Sequence, residues 1–278
     1  MLSVTIGLLH PGAMGAAVGA ALVANGRRCV WVPEGRGAAT RARASAAGLV
    51  AVDDHADLLS CEVVLSVCPP AAALDVARQV ARTGFAGCYV DANAISPRHS
   101  EQIAALMTAA TVVDGGIVGP PPRRPGTTRL YLSGPDDAVA TVRSLFAGTT
   151  LAPVALPGPV GAASALKLGF ATYNKVSALL AAQAHGLARR HGVDAELRAL
   201  AADVLPGTAL AAPERLPSAG QRAWRWAPEM REIAEASRDA GLPAELLDAA
   251  ATFLDRWREH KDDPDLTLAQ LLDALSTR

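Results

Sequence analysis

The 278 residues carry 26 lysines and arginines against 27 aspartates and glutamates, a formal charge of −1 that gives nucleic acid or an anionic membrane no electrostatic reason to bind. Half of the chain is hydrophobic but only 4% is aromatic, which favours closely packed helices over an aromatic-rich β-sandwich, and the length suits two domains of ordinary size or one large one. The six histidines show no metal-ligand spacing, and Met1-Leu2-Ser3-Val4 lacks the basic region of a secretory signal; a cytoplasmic protein without a metal is expected.

Ser3–Leu9 reads as a strand and Ala13–Ala24 as a small-residue helix, closed by Asn25-Gly26. Arg28–Val32 is a second strand and Ala38–Ala47 a second helix. Strands follow over Glu62–Val67, Gly87–Val90 and Val112–Val118, with helices over Ala71–Arg82 and Pro97–Ala109 between them. This alternation predicts an α/β fold, a doubly wound and mostly parallel sheet covered on both faces. Arg129–Ser133 and Leu151–Val154 add edge strands. Cys29, Cys61, Cys68 and Cys88 each lie in or beside a strand and form no Cys-x-x-Cys pair, so they read as reduced thiols. The charge-free stretch Ser144 to Leu166 is broken by three prolines and three glycines, which excludes a spanning helix.

After Pro159 the texture changes. Gly161–Arg190 reads as one long, largely apolar helix, of the kind that buries against others, including a partner subunit's. Ala195–Val204, Ala227–Ala240, Ala244–Glu259 and Thr267–Leu275 are helical, and no strand is expected there. The predicted division is therefore a dinucleotide-binding domain over 1–157 and an all-helical substrate and dimerisation domain over 158–278.

The strongest local signal is Gly7-Leu8-Leu9-His10-Pro11-Gly12-Ala13-Met14-Gly15, which leaves the first strand and opens the first helix. Glycines there let the backbone approach a pyrophosphate, and the helix N-terminus offers N–H groups and partial positive charge to it. His10 stands where the usual Gly-x-Gly-x-x-Gly fingerprint has its first glycine, while Gly12 and Gly15 keep the second and third. The second strand runs out into Val32-Pro33-Glu34-Gly35-Arg36-Gly37. An acid there, Glu34, would bind the ribose hydroxyls of NAD(H), and an arginine, Arg36, the 2′-phosphate of NADP(H); NADP(H) is favoured.

Taken together these motifs resemble the β-hydroxyacid dehydrogenase family, which includes 6-phosphogluconate and 3-hydroxyisobutyrate dehydrogenases and shares its architecture with imine reductases. Gly7–Gly15 is similar to the family's G-x-x-G-x-G-x-M-G opening. Val67-Cys68-Pro69-Pro70 resembles the loop over the nicotinamide side of the cofactor, and Asp91–Pro97 the D-x-S-T-x-x-P segment. Asp114–Pro120 resembles the substrate-binding D-A-P-V-S-G-G segment, and Gly161–Lys167 the G-x-G-x-x-x-K segment with the catalytic lysine. Pro33–Arg36, Val90–Asn93 and Gly119–Pro122 are similar to a phosphogluconate-dehydrogenase-like branch. The resemblance implies a Rossmann-type domain, an all-helical C-terminal domain, and a homodimer with active sites at the domain junction. Val118 stands where the dehydrogenases have a serine, Pro120 where they have the second glycine, and Ala171 where they have an asparagine.

These residues define a candidate site. Lys167 sits in the apolar run Ala162–Leu168, where desolvation favours a titratable amine suited to proton transfer. Asn174, seven residues on, projects from the same helical face and replaces the missing asparagine. His10 through Gly15, Glu34, Arg36, Cys68, Pro69 and Asn93 are the candidate cofactor contacts; Ser96, Val118, Gly119 and Tyr173 are the candidate substrate contacts. The expected activity is hydride transfer between NADP(H) and a small polar substrate, a hydroxy acid or its keto counterpart. Reduction of a C=N bond and non-catalytic dinucleotide binding are the alternatives.

Overall fold

The computed structural model describes residues 4–276, so Met1–Ser3, which hold the predicted start of the first strand and most of the segment read as lacking a secretory signal, lie outside the described residues. The chain divides into two compact units, Met1–Leu168 and Gly169–Arg278.

The first unit runs β1 (Thr5–Leu8), α1 (Ala13–Ala24), β2 (Arg28–Trp31), α2 (Ala38–Ala46), β3 (Val50–Ala51), α3 (His55–Leu59) and β4 (Val63–Ser66). A 3-10 turn at Pro70–Ala72 leads into α4 (Ala73–Arg82), β5 (Cys88–Asp91), α5 (Pro97–Leu106), β6 (Thr111–Val118), β7 (Thr128–Ser133), α6 (Asp136–Phe146) and β8 (Leu151–Ala155). The strands form one sheet in the order β3-β2-β1-β4-β5-β6-β7-β8. From β3 to β6 all pairs are parallel; β7 joins β6 antiparallel and β8 pairs parallel with β7.

Successive strand residues feed opposite faces, as the two-residue period requires. Val63, Leu65, Val90 and Val113 enter one apolar cluster with Val18 and Leu22 of α1 and Val142 and Phe146 of α6. Val64, Tyr89 and Val112 enter the other, with Ala77 and Val80 of α4 and Ile103 of α5. Each large aliphatic side chain buried this way contributes roughly 1.5–3 kcal/mol. Such two-sided burial explains why these strands read as short, continuous apolar runs.

Only one of the two expected edge strands is an edge. β8 closes the sheet, but β7 is held between β6 and β8, with Leu130 and Leu132 fully buried. A strand's neighbours depend on its pairing, which its own residues do not encode. The structure also adds β3 and α3, which are too short to show a period. Asp54 caps α3 by accepting from the Asp57 N–H at 2.9 Å.

α7 (Ala162–Arg190) starts in the first unit and continues through the second, which adds α8 (Asp194–Val204), α9 (Pro217–Gly220), α10 (Ala223–Asp239), α11 (Glu245–Asp255) and α12 (Leu268–Asp273). No strand occurs among its described residues. Met230, Leu254, Trp257 and Leu271 are fully buried, and the Trp257 indole donates to the Leu271 carbonyl at 3.0 Å. His185 is buried with its ring nitrogens against the Asp194 carboxylate (2.6 Å) and the Leu210 carbonyl (2.9 Å). Among the described residues no helix is long and apolar enough to cross a membrane.

Candidate active site

In the first unit the chain leaves β1 toward β2 on one side and β4 toward β5 on the other, so the strand order reverses between β1 and β4. Open parallel sheets bind ligands in the crevice beyond the carboxyl ends of the strands at that point. The Gly7–Gly15 turn lies there. Gly12 is the N-cap of α1, no side chain caps the helix, and its first turn carries no acid. The end of α1 that attracts anions is therefore neither capped by a side chain nor countered by an acid in its first turn. A Cβ on Gly15 would lie 2.1 Å from the His10 carbonyl oxygen, so only glycine lets the loop fold this closely over the helix.

His10 fills the place of the first glycine. Its carbonyl accepts from the Gly12 N–H at 2.9 Å, and its Nδ1 is buried without a hydrogen-bond partner. Burial, with the Arg36 guanidinium and His55 nearby, lowers its pKa to about 4, so the ring is neutral at physiological pH. Arg36 donates to the Leu9 carbonyl at 3.3 Å, which ties the turn after β2 to the turn after β1. Gly35, at φ +67°, makes the bend that returns Arg36 toward the crevice, and Glu34 is exposed. A buried, unpartnered ring nitrogen and an uncapped helix end with an arginine leaning on the loop are chemically compatible with a dinucleotide's pyrophosphate.

A buried polar cluster occupies the ends of β4 and β5. Asn93 is 2% exposed. Its Oδ1 accepts from the Cys68 N–H at 2.6 Å, and its Nδ2 donates to Asp91 Oδ2 at 2.8 Å and to Ser66 Oγ at 3.1 Å. Asp91 Oδ1 accepts from the Asn93 N–H at 3.0 Å. Burial raises the Asp91 pKa to about 7; the Asn93 hydrogen bonds oppose the rise, Asp114 adds to it and Lys167 opposes it. Burial likewise raises Cys68 to about 11, so it is a thiol at neutral pH rather than a nucleophile.

Asp114, level with Asp91 on β6, anchors the start of α7. Its Oδ2 accepts from the N–H groups of Gly161 (3.0 Å) and Ser164 (2.9 Å), and its Oδ1 from Ser164 Oγ (2.7 Å). Ser100 and Ser133 also bond it, both at 3.3 Å. One turn further along the helix stands Lys167, half-buried; a Cβ on Gly116 would lie 3.3 Å from Lys167 Cβ and 2.7 Å from the Ala163 carbonyl. Glycine at 116 is what lets α7 lie against β6. Lys167 is thus placed at the carboxyl edge of the sheet, close enough to Asp91 to lower its pKa.

Other candidates are placed as follows. Pro11 is buried, Met14 is half-buried, and Ala13 and Pro69 are exposed. Ser96 caps α5, accepting from the His99 N–H at 3.3 Å. Val118 ends β6, and Gly119 follows at φ +127°. Tyr173 and Asn174 lie on the second unit's part of α7, both exposed. Lys175 is buried, ion-paired with Glu229 and 5.6 Å from the Trp226 ring. Motif reasoning missed Ser66, Asp91 and Asp114 as network members; acids inside otherwise apolar strands were the signal available.

A model for a domain of unknown function (DUF1932) matches residues 188–257. An uncharacterized 28.5 kDa protein from the 7S RNA 5′ region of Methanothermus fervidus is 28% identical over 166 residues, which span 59% of this chain and 63% of that protein. A solved conserved protein of unknown function, described as structurally similar to 3-hydroxyacid dehydrogenases, is 26% identical with a TM-score of 0.76, covering 92% of this chain and 97% of its own. Mycobacterium tuberculosis 3-hydroxyisobutyrate dehydrogenase, solved with L-serine, reaches a TM-score of 0.79 at 19% identity over 99% of this chain and all of its own. The fold is that of the hydroxyacid dehydrogenases. A reductive aminase from Aspergillus terreus, solved with NADPH and ethyl levulinate, shares it at a TM-score of 0.59 and 19% identity, over 99% of this chain and 100% of its own. Likeness at this level of identity shows the fold, and a fold does not fix an activity.

Proposed function

We propose that this chain is an NADP(H)-dependent oxidoreductase acting on a small polar substrate, a hydroxy acid or its keto counterpart. The observation that carries it is the uncapped, glycine-lined end of α1 at the strand-order switch, with Lys167 held at the carboxyl edge of the same sheet. His10 through Gly15 would hold the pyrophosphate, Arg36 rather than Glu34 the adenosine phosphate, and Cys68 and Pro69 the nicotinamide side. The chemistry that NADP(H) would supply when bound is hydride transfer. The chain's own part in this proposal is to orient the substrate, with Ser96, Val118, Gly119 and Tyr173 as the candidate contacts, and to move a proton at Lys167 Nζ, with Asn174 as the second catalytic candidate. Arg36→Ala should weaken NADPH binding by about 1.5–3 kcal/mol, the value of a charge-assisted contact, and leave NADH binding nearly unchanged. Titration of both cofactors checks this; equal losses, or a wild type that prefers NADH, would refute the phosphate role.

C=N reduction is a second reading, favoured by Val118 and Ala171 in place of the serine and asparagine that hold a hydroxy acid. Turnover of cyclic imines but not 3-hydroxy acids would select it.

The all-helical part from residue 158 onward serves as the substrate and dimerisation domain in this proposal. Leu180 and Leu187 of α7 and Leu200 and Val204 of α8 are each about 60% exposed in the second unit, an apolar surface of the kind a second copy covers. Sedimentation should show a homodimer at micromolar concentration. A stable monomer with full turnover would exclude a shared site. Cys29, Cys61, Cys68 and Cys88 are free thiols, the state that a cytoplasmic setting maintains.

A further inference from the structure

We propose that Asn93, Asp91 and Ser66 form a latch that positions the Cys68–Pro69 loop, and that the latch is closed while the Asp91 carboxyl is ionised. The proposal rests on the cofactor role given to that loop above, and it makes Asn93 a positioning residue acting through Cys68 rather than a direct contact.

The orientation of the Asn93 amide is dictated by chemistry. A backbone N–H can only donate, so the 2.6 Å contact from Cys68 N fixes Oδ1 toward the loop. The two Nδ2 hydrogens must then face Asp91 Oδ2 and Ser66 Oγ, which are 2.8 and 3.1 Å away. Ser66 Oγ in turn donates to Cys68 Sγ at 3.8 Å, so the loop residue is held at both its amide and its thiol. Pro69 and Pro70 have no N–H to give, which leaves the Cys68 amide as the donor by which this segment can be tied.

Protonation of Asp91 breaks the set. Both of its oxygens already accept from Asn93, one from the amide side chain and one from the backbone. A proton on the Oδ2 lone pair that now accepts would point at Nδ2–H, and on the other lone pair it would leave a neutral carboxyl, a weaker acceptor than a carboxylate. Turning the Asn93 amide over to meet the first case would set Nδ2 against the Cys68 N–H. A proton on Oδ1 would meet the Asn93 backbone N–H in the same way. The groups around the carboxyl that bear on its charge are Asp114 on β6, Lys167 on α7, the Cys68 thiol and Tyr89 on β5. Burial dominates, and the Asp91 pKa is raised to about 7. The two consequences have opposite sign. A raised carboxyl pKa contributes stability that is full below the unfolded value and is lost as pH rises through about 7. The latch, in contrast, closes over the same rise.

Hydrogen exchange of the Cys68 amide, expressed as protection relative to the intrinsic rate at each pH, reads the latch without cofactor or substrate. Between pH 6 and 8 the ionised fraction of an acid with pKa near 7 rises about tenfold, and protection of the wild type should follow it while Tm falls. Asp91→Asn, which mimics the protonated acid, should hold protection at its acid level at every pH. Asn93→Ala should remove protection at pH 8 and weaken NADPH binding about tenfold, the scale of one lost hydrogen bond. Protection that is flat with pH in the wild type, or that keeps its rise in Asp91→Asn, overturns the latch. The isosteric Asp91→Asn variant settles this even where Asn93→Ala fails to fold. Lost protection in Asn93→Ala with unchanged NADPH affinity overturns the loop's part in cofactor binding and leaves the latch standing. Failure of the wild type to bind NADPH at all overturns the cofactor reading alone.

Discussion

Lys167→Met is expected to lower turnover by roughly 10²–10⁴-fold, the value of general acid–base catalysis, while the fold and NADPH affinity are retained. Several features of its setting converge on this. Asp114 fixes the first turn of α7 through the Gly161 and Ser164 N–H groups. Gly116 lets that turn lie against β6. Lys167, one turn later, is half-buried at the carboxyl edge and acts electrostatically on Asp91. Lys175 is a poor substitute, because it is buried, paired with Glu229 and close to Trp226. The assay uses whichever of 3-hydroxy acids or cyclic imines the wild type converts, with the pH profile as second readout. One limb of that profile should disappear. Because the Lys167 charge helps ionise Asp91, its loss should also move the Asp91 midpoint upward from about 7. Near-normal turnover in Lys167→Met would make the lysine structural and leave proton transfer to Tyr173 or water.

The parts of this molecule that were legible in the sequence are those whose physics is local. Gly7–Gly15 announces itself because a strand, a tight turn and a helix start follow within nine residues. The predicted helix over Ala13–Ala24 has the observed bounds, and the parallel strands differ by one or two residues at their ends. β3 and α3 were missed, since two exposed residues and a single helical turn carry no period. The interior position of β7 was missed because pairing order is a property of the whole sheet. The polar network is the larger omission. Ser66, Asp91, Asn93, Ser100, Asp114, Ser133 and Ser164 are spread over about a hundred residues, and only the register β4–β5–β6 and the packing of α5 and α7 bring them together. Sequence reasoning found Asn93 as a residue of interest, but it could not show that the side chain is 2% exposed and committed to its neighbours.

Gly12 and Gly15 should respond to alanine in different ways, and the difference tests where the dinucleotide lies. Gly15 is buried, and a Cβ there would sit 2.1 Å from the His10 backbone oxygen. No rotamer change relieves a clash with backbone, so the loop itself must move. Gly15→Ala should therefore lower stability by about 1–3 kcal/mol, as overpacking does, and abolish cofactor binding with it. Gly12 has φ −66° and ψ −169°, which alanine adopts freely, and no atom lies within 4 Å of its would-be Cβ. Gly12→Ala should change stability by no more than about 1 kcal/mol, the difference between glycine and alanine at an N-cap. The open space beside Gly12 is where a pyrophosphate must approach the backbone. A methyl group placed there should weaken NADPH binding on the order of 10- to 100-fold, or about 1.4–2.8 kcal/mol. Thermal denaturation and fluorescence titration of the two variants separate the effects. A loss of affinity in Gly12→Ala at unchanged Tm comes from the ligand and not from the fold. If Gly12→Ala binds NADPH as the wild type does, the pyrophosphate does not lie over the end of α1, and the assignment of His10 through Gly15 fails with it.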